Sequence, residues 1–124
     1  MDSDNKARRD KEDQKHTEAL VVTAKKNIYL SEVAGVAATE AFTAATILYN
    51  SNDVRTLKAC RDAVVAAKQW TKSAKAALKA AQQTEDMETI GTAEEGLKLA
   101  TAKAEVSKQV VDQLEAIASL AEAA

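Results

Sequence analysis

The sequence has no proline and only three glycines in 124 residues, and aromatic residues make up 3% of it. Strands and tight turns depend on glycine and proline, and strands are enriched in aromatic residues, so these shortages argue against a fold built on β-sheets. Alanine is the most frequent of the hydrophobic residues, which together make up 46% of the chain. Because alanine has the highest helix propensity, the composition predicts an all-α protein.

The residues that most enzymes and metal sites require are also scarce. A di-iron bundle needs two Glu-x-x-His motifs, and the common zinc sites need several Cys or His ligands, whereas this chain has only His16 and Cys60. We expect His16, which neighbours Glu12 and Asp13, to be solvated, and Cys60 to be a core thiol. With no glycine-rich phosphate loop and no Ser-His-Asp set, the sequence predicts no enzyme, no cofactor and no metal.

Charge and hydropathy give no overall attraction to nucleic acid or membrane. The net charge is -2, from 17 basic and 19 acidic residues. The longest apolar run, residues 33–49, is short for a transmembrane helix and rich in Thr and Ala. The first residues lack the apolar core of a signal peptide, which predicts residence in the cytoplasm, although a mature secreted or surface protein would look the same.

The first 18 residues alternate acids and bases, so we predict a frayed or disordered start followed by one helical domain over 19–124. The first helix is predicted over about 19–50. Its run from Val33 to Tyr49 carries a single charge, Glu40, and we expect this run to be the centre against which the other helices pack. A stripe at heptad spacing is predicted to close the bundle, namely Ala24, Ile28, Ser31, Gly35, Ala38, Phe42, Ala45 and Tyr49.

Two breaks divide the rest of the chain. Residues 50–53 carry the Asn, Ser and Asp that end one helix and cap the next, which predicts a second helix over about 53–83. Its predicted buried stripe is Leu57, Cys60, Val64, Ala67, Thr71, Ala74, Leu78 and Ala81. The third helix is predicted over 85–122, or over 92–122 after a short extra helix at 85–90, because Gly91 precedes a capping-box pattern at Thr92 and Glu95. The result is an antiparallel, up-down-up three-helix bundle about 45 Å long.

A second stripe on the first helix widens its apolar surface beyond what one neighbouring helix covers. This stripe is the candidate protein interface, and it consists of Leu30, Val33, Ala37, Ala41, Ala44 and Leu48. Exposed apolar seams on helices usually meet other helices. The leading interpretation is a non-enzymatic structural module, of coiled-coil character, that binds a second copy of itself or another helical protein.

The second helix carries a basic row that is interrupted only by Val65. Its members are Lys58, Arg61, Lys68, Lys72, Lys75 and Lys79. The simplest explanation is a solvated face that forms weak ion pairs with acids of the third helix. The alternative function is peripheral binding of an anionic surface, such as acidic lipid headgroups or another polyanion. Nucleic acid is disfavoured, because no aromatic side chain lies on the row to stack on a base.

Two further residues stand out by their type. Trp70 flanks the heptad seam of the second helix and is expected to lie in the core or a groove. Glu40 shares its side of the first helix with Glu32 and several threonines. We therefore expect Glu40 to face water rather than to act as a buried functional carboxylate.

Overall fold

Three helices account for almost all of the described chain. The computed structural model describes the backbone of residues 2–123 and the side chains of residues 8–120, with α1 at Asp2–Asn50, α2 at Thr56–Gln82 and α3 at Met87–Ala123. No strand occurs between residues 2 and 123. Helices that follow one another through short turns and pack side by side run antiparallel. The predicted all-α, three-helix bundle is therefore confirmed.

The three helices differ in length, and α1 starts earlier than the sequence predicts. The predicted start lies near residue 19, but the helix extends back to Asp2, and the side chains of residues 8–19 are all exposed. Side-chain interactions between residues one turn apart support this charged part of the helix. For example, Gln14 Nε2 donates a hydrogen bond to Glu18 Oε1 at 3.4 Å. The side chains of residues 1–7 lie outside the described residues. At 1.5 Å per residue, α1 is about 74 Å long and α2 about 40 Å, so only α2 approaches the predicted 45 Å.

A left-handed residue ends α1. The N–H of Asp53 donates to the carbonyl of Leu48 at 3.0 Å, and that of Asn52 donates to Tyr49 at 3.2 Å. Asn52 has a φ of 52°. This pair of bonds across a left-handed residue is a Schellman motif, and asparagine tolerates that conformation better than most side chains do. The predicted break is therefore present, with Asn52 as the residue that makes it.

Asp53 then organises the start of α2. Its carboxylate accepts hydrogen bonds from the Arg55 backbone N–H at 2.9 Å and from the Arg55 guanidinium at 2.8 and 2.9 Å. These bonds lower the pKa of Asp53 to about 2. Because Asp53 and Arg55 are used in the turn, α2 begins at Thr56 and not at the predicted residue 53.

Asp86 caps α3. One oxygen of its carboxylate accepts hydrogen bonds from the backbone N–H of Thr89, at 3.2 Å, and from the Thr89 hydroxyl. These bonds lower the pKa of Asp86. An acid that accepts from the third residue of a helix is a favourable N-cap, and the helix dipole favours its charge. The preceding residue, Glu85, has a φ of 57°.

The predicted short helix at 85–90 does not exist as a separate element. α3 runs without interruption from Met87 through Gly91, which has no positive φ. The Thr92 hydroxyl donates to the carbonyl of Glu88 at 3.0 Å, so it bonds back into the same helix rather than starting a new one. The capping-box spacing at 92–95 was therefore misleading, because Asp86 had already capped the helix.

The central helix is α2, and the prediction that the run from Val33 to Tyr49 is central is wrong. α2 packs along both other helices, whereas α1 and α3 approach each other at few points. The predicted stripe on α2 is buried at Cys60, Ala67, Ala74 and Ala81 and half-buried at its other four positions. A second buried seam, which the heptad pattern did not reveal, consists of Ala63, Trp70 and Ala77. Two seams let one helix contact two neighbours.

The core is built mainly from alanine, with one large side chain at its middle. Of the thirteen buried hydrophobic residues among those described, ten are alanine, so the helices approach closely rather than interlocking bulky side chains. Trp70 is 8% exposed and clusters with Ala38, Ala74 and Ala100. Its indole lies over Gly35, where an added Cβ would come within 2.8 Å of Trp70 Cε2. Gly35 therefore provides the space that the indole occupies.

Candidate functional site

The predicted interface stripe on α1 is largely uncovered. Leu30, Val33, Ala37 and Ala44 are exposed, while Ala41 and Leu48 are half-buried. The stripe predicted to close the bundle is covered except at its end, because Tyr49 is 57% exposed. Ile28 and Phe42 are half-buried, and the remaining members are buried, namely Ala24, Ser31, Gly35, Ala38 and Ala45. The two stripes of α1 are thus not both covered within one chain.

The exposed apolar surface of α1 is wider than the predicted stripe. It extends to the side of α1 that lies opposite the buried stripe. The large apolar side chains on that side are 59% to 67% exposed, namely Val22, Tyr29, Val36 and Ile47. We use the name outer face of α1 for the exposed set Val22, Lys26, Tyr29, Leu30, Val33, Val36, Ala37, Glu40, Ala44 and Ile47. Its members follow one another at spacings of three and four residues, so they form one continuous surface. Glu40 is exposed, as predicted, but its neighbours on this face are mostly apolar.

The basic row of α2 is exposed along its length, and only its first part is paired. Arg61 Nη2 lies 3.0 Å from Glu115 Oε1 on α3, and Lys58 Nζ lies 3.5 Å from Asp62 Oδ2 on the same helix. Among the described side chains, no carboxylate lies within 4 Å of the remaining lysines. These are Lys68, Lys72, Lys75 and Lys79.

A cavity of about 240 Å³ opens between α1 and α3, with α2 as its floor. Its apolar lining comes mainly from Phe42 and Tyr49 on α1 and from Val110, Leu114 and Ile117 on α3. No sequence pattern indicated this cavity, since it depends on how far apart α2 holds its two neighbours. A helical pattern shows which residues share a face, but not how wide a gap remains between two faces.

One polar residue that lines this cavity is buried, and a basic residue lies beside the cavity. Ser107, which lines it, is 3% exposed, and its Oγ has no hydrogen-bond partner. Lys103, one turn earlier on α3, is half-buried, and its Nζ lies 4.4 Å from the centroid of the Phe42 ring. No carboxylate of the described side chains lies within 4 Å of Lys103.

The residues considered for metal or thiol chemistry do not form a site in the described part of the chain. His16 is exposed, and no three His, Cys, Asp or Glu side chains among those described are placed to hold a metal ion. Cys60 is buried against Ala45 and Val111. Burial raises the pKa of the Cys60 thiol, which disfavours the reactive thiolate.

Within residues 2–123, no helix combines the length and the apolar character needed to cross a bilayer. No protein-family model, curated protein or solved structure matches this chain. Function is therefore inferred from the chain's own surfaces, namely the outer face of α1, the basic row of α2 and the cavity between α1 and α3.

Proposed function

We propose that this chain is a non-enzymatic helical module that acts by self-association through the outer face of α1. The observation that carries this proposal is the exposure of large apolar side chains along one continuous helix face, with Val33 49% and Val36 59% exposed. Contiguous exposed apolar surface on a folded protein usually marks an interaction site. A helix that presents such a face most often meets another helix.

The area of this face suits a dimer. Six large apolar side chains are about half to two-thirds exposed, namely Val22, Tyr29, Leu30, Val33, Val36 and Ile47. Together they offer roughly 200–400 Å² of apolar surface, at about 60–120 Å² for a whole side chain. A standard interface buries about 800 Å² per partner, a little over half of it apolar, so these six side chains supply about half or more of the apolar area that one partner needs.

Its charges favour a second copy of the same chain. Lys26 and Glu40 are both exposed on the face, seven residues to either side of Val33. Neither has an ion-pair partner within 4 Å among the described side chains. If two α1 helices cross antiparallel at Val33, a two-fold axis places Lys26 opposite Glu40 of the second copy, twice over. The same register sets Leu30 opposite Val36 of the second copy.

The test is the oligomeric state of the purified chain as a function of concentration. Sedimentation equilibrium should show a monomer–dimer equilibrium for the wild type. Val33→Lys, which places two like charges next to each other at the crossing point, should raise the dissociation constant at least tenfold. The matched control is Val65→Lys, because Val65 is also an exposed valine, at 58%, but lies on α2. This control should leave the dissociation constant unchanged.

A charge exchange tests the antiparallel register. Lys26→Glu should weaken association, and adding Glu40→Lys in the same chain should restore it, because opposite charges again face each other. A wild-type chain that stays monomeric at high micromolar concentration would refute self-association. Equal effects of Val33→Lys and Val65→Lys would show that the outer face of α1 is not the interface.

The unpaired lysines of the basic row favour a second candidate function, which is the binding of acidic lipid surfaces. Lys68, Lys72 and Lys75 lie on one exposed face and lack carboxylate neighbours, and each basic residue near an anionic membrane contributes about 1 kcal/mol. Vesicles that contain phosphatidylserine should therefore co-sediment the protein at low salt, and changing all three lysines to Glu should abolish this. Co-sedimentation that ignores both salt and these changes would exclude the role.

A further inference from the structure

We infer that the cavity between α1 and α3 binds an amphipathic carboxylate, a molecule with an apolar body of about ten carbons and one anionic end. The site is independent of the proposed self-association, since it shares no residue with the outer face of α1. The cavity is mainly apolar and is lined by a buried hydroxyl without a partner, that of Ser107. A half-buried cation, Lys103, lies beside it on the ring of Phe42.

The hydroxyl of Ser107 is the observation that points to a ligand. Thr46 and Thr71 show what a hydroxyl in these helices normally does, because each donates to the carbonyl four residues earlier, at 2.9 and 3.0 Å. Ser107 makes no such bond, although it is more deeply buried than either. A buried hydroxyl without a partner is destabilising, and such groups in native proteins usually have a partner that completes them. Ser107 is therefore available to donate to a bound molecule.

Lys103 determines the charge of that molecule. It lies four residues before Ser107 on α3, so the two side chains project from the same side of the helix. The Lys103 ammonium rests on the ring of Phe42, which itself lines the cavity. Since Lys103 is half-buried and has no carboxylate within 4 Å among the described side chains, it can pair with an incoming anion. A carboxylate accepts hydrogen bonds from both an ammonium and a hydroxyl. Such charge-assisted hydrogen bonds are stronger than those between neutral groups.

The apolar lining sets the size of the rest of the molecule. An apolar cavity of about 150 Å³ holds benzene, so the observed 240 Å³ corresponds to about ten carbon atoms. Val110, Leu114 and Ile117 on one side and Phe42 and Tyr49 on the other give a hydrocarbon chain contact along its length.

The test uses decanoate as the probe and decanol as its uncharged control, with the full chain and calorimetry below the micelle concentration. Decanoate should bind one to one and at least tenfold more tightly than decanol. Lys103→Gln should remove that preference, because it weakens the binding of decanoate but not that of decanol. The control is Lys108→Gln, which changes an exposed lysine next to Ser107 and should leave both affinities unchanged. Thr46→Phe, which fills the cavity from its exposed rim, should abolish binding of both probes.

Ser107→Ala separates a ligand role from a structural one. It should raise the melting temperature of the free protein, because it removes a buried unpaired hydroxyl, and should weaken decanoate binding several-fold. Cys60 lines the same cavity. Bound decanoate should therefore also slow the reaction of the Cys60 thiol with a thiol reagent. The inference is overturned if decanoate does not bind saturably, if decanol binds equally well, or if Lys103→Gln and Lys108→Gln behave alike.

Discussion

The run from Val33 to Tyr49 in α1 carries one charge, whereas α2 carries a lysine or an arginine on nearly every turn. Yet α2 is the helix that lies between the other two, and seven of its residues are buried. On α1, only a narrow stripe is buried, and large side chains such as Tyr29 and Val36 face outward. Apolar content and burial are thus distributed in opposite ways between these two helices.

The width of the apolar surface therefore does not decide which helix is central. α2 places small residues on two seams, so both neighbours can approach its backbone closely, and its lysines all fit on the one side that remains. α1 instead carries branched and aromatic side chains on the side away from α2. Such side chains on the outside of a small bundle gain stability only if something else covers them.

Among the stability variants, the greatest loss should come from removing the side chain of Trp70 on α2. Trp70→Ala should lower the free energy of unfolding by about 3–5 kcal/mol, since it removes the one large core side chain and leaves a cavity among alanines. On α1, Val36→Ala should change the free energy of unfolding of the monomer by less than about 0.5 kcal/mol, because Val36 is exposed. Urea titrations followed by far-UV circular dichroism measure both. Similar losses for the two variants would contradict the contrast between the helices.

A pair of glycine variants examines the inner surface of α1. Gly35→Ala should gain about 1 kcal/mol of helix propensity but lose about 1–3 kcal/mol from the clash with Trp70, for a net loss of up to about 2 kcal/mol. Gly96→Ala on α3 is the matched control, because no atom beyond the neighbouring backbone of its own helix lies within 4 Å of its added Cβ. It should stabilise the protein by about 1 kcal/mol, as seen in its urea midpoint. Stabilisation by both changes would show that Gly35 is not needed for the indole.

Periodicity and turn residues predicted the helix count, the breaks at 50–53 and 84–86, and the buried stripe through Ala24, Ala38 and Ala45. They missed the second seam through Ala63 and Ala77, since alanine is equally acceptable on exposed and buried helix faces. The cavity could not be predicted from the sequence, for a different reason. It depends on the distance between α1 and α3, and that distance is set by packing of both against a third helix.

The turns at the two ends of α2 differ in the residue that takes the left-handed conformation. Asparagine occupies that position after α1, whereas Glu85 occupies it before α3, with a φ of 57°. A side chain without the local bonding of Asn is strained there by about 1 kcal/mol. Glu85→Gly should therefore raise the free energy of unfolding by about 0.5–1 kcal/mol in urea titrations. Glu85→Ala keeps a Cβ, so it should not raise the free energy of unfolding. Equal increases for the two variants would assign the effect to the charge of Glu85 instead of to backbone strain.

A weaker effect on stability is expected at Asp53, at the start of α2. Its pKa of about 2 in the folded protein lies below the ordinary value of 3.8, because Arg55 donates hydrogen bonds to the carboxylate. A lowered folded pKa gives stability that is fully present above about pH 4 and is lost as the pH falls toward 2. Asp53→Asn should therefore melt at a lower temperature than the wild type at pH 6, and the difference should shrink through this window. A difference that stays constant from pH 6 to pH 2 would assign the effect of Asp53 to the shape of the turn rather than to its charge.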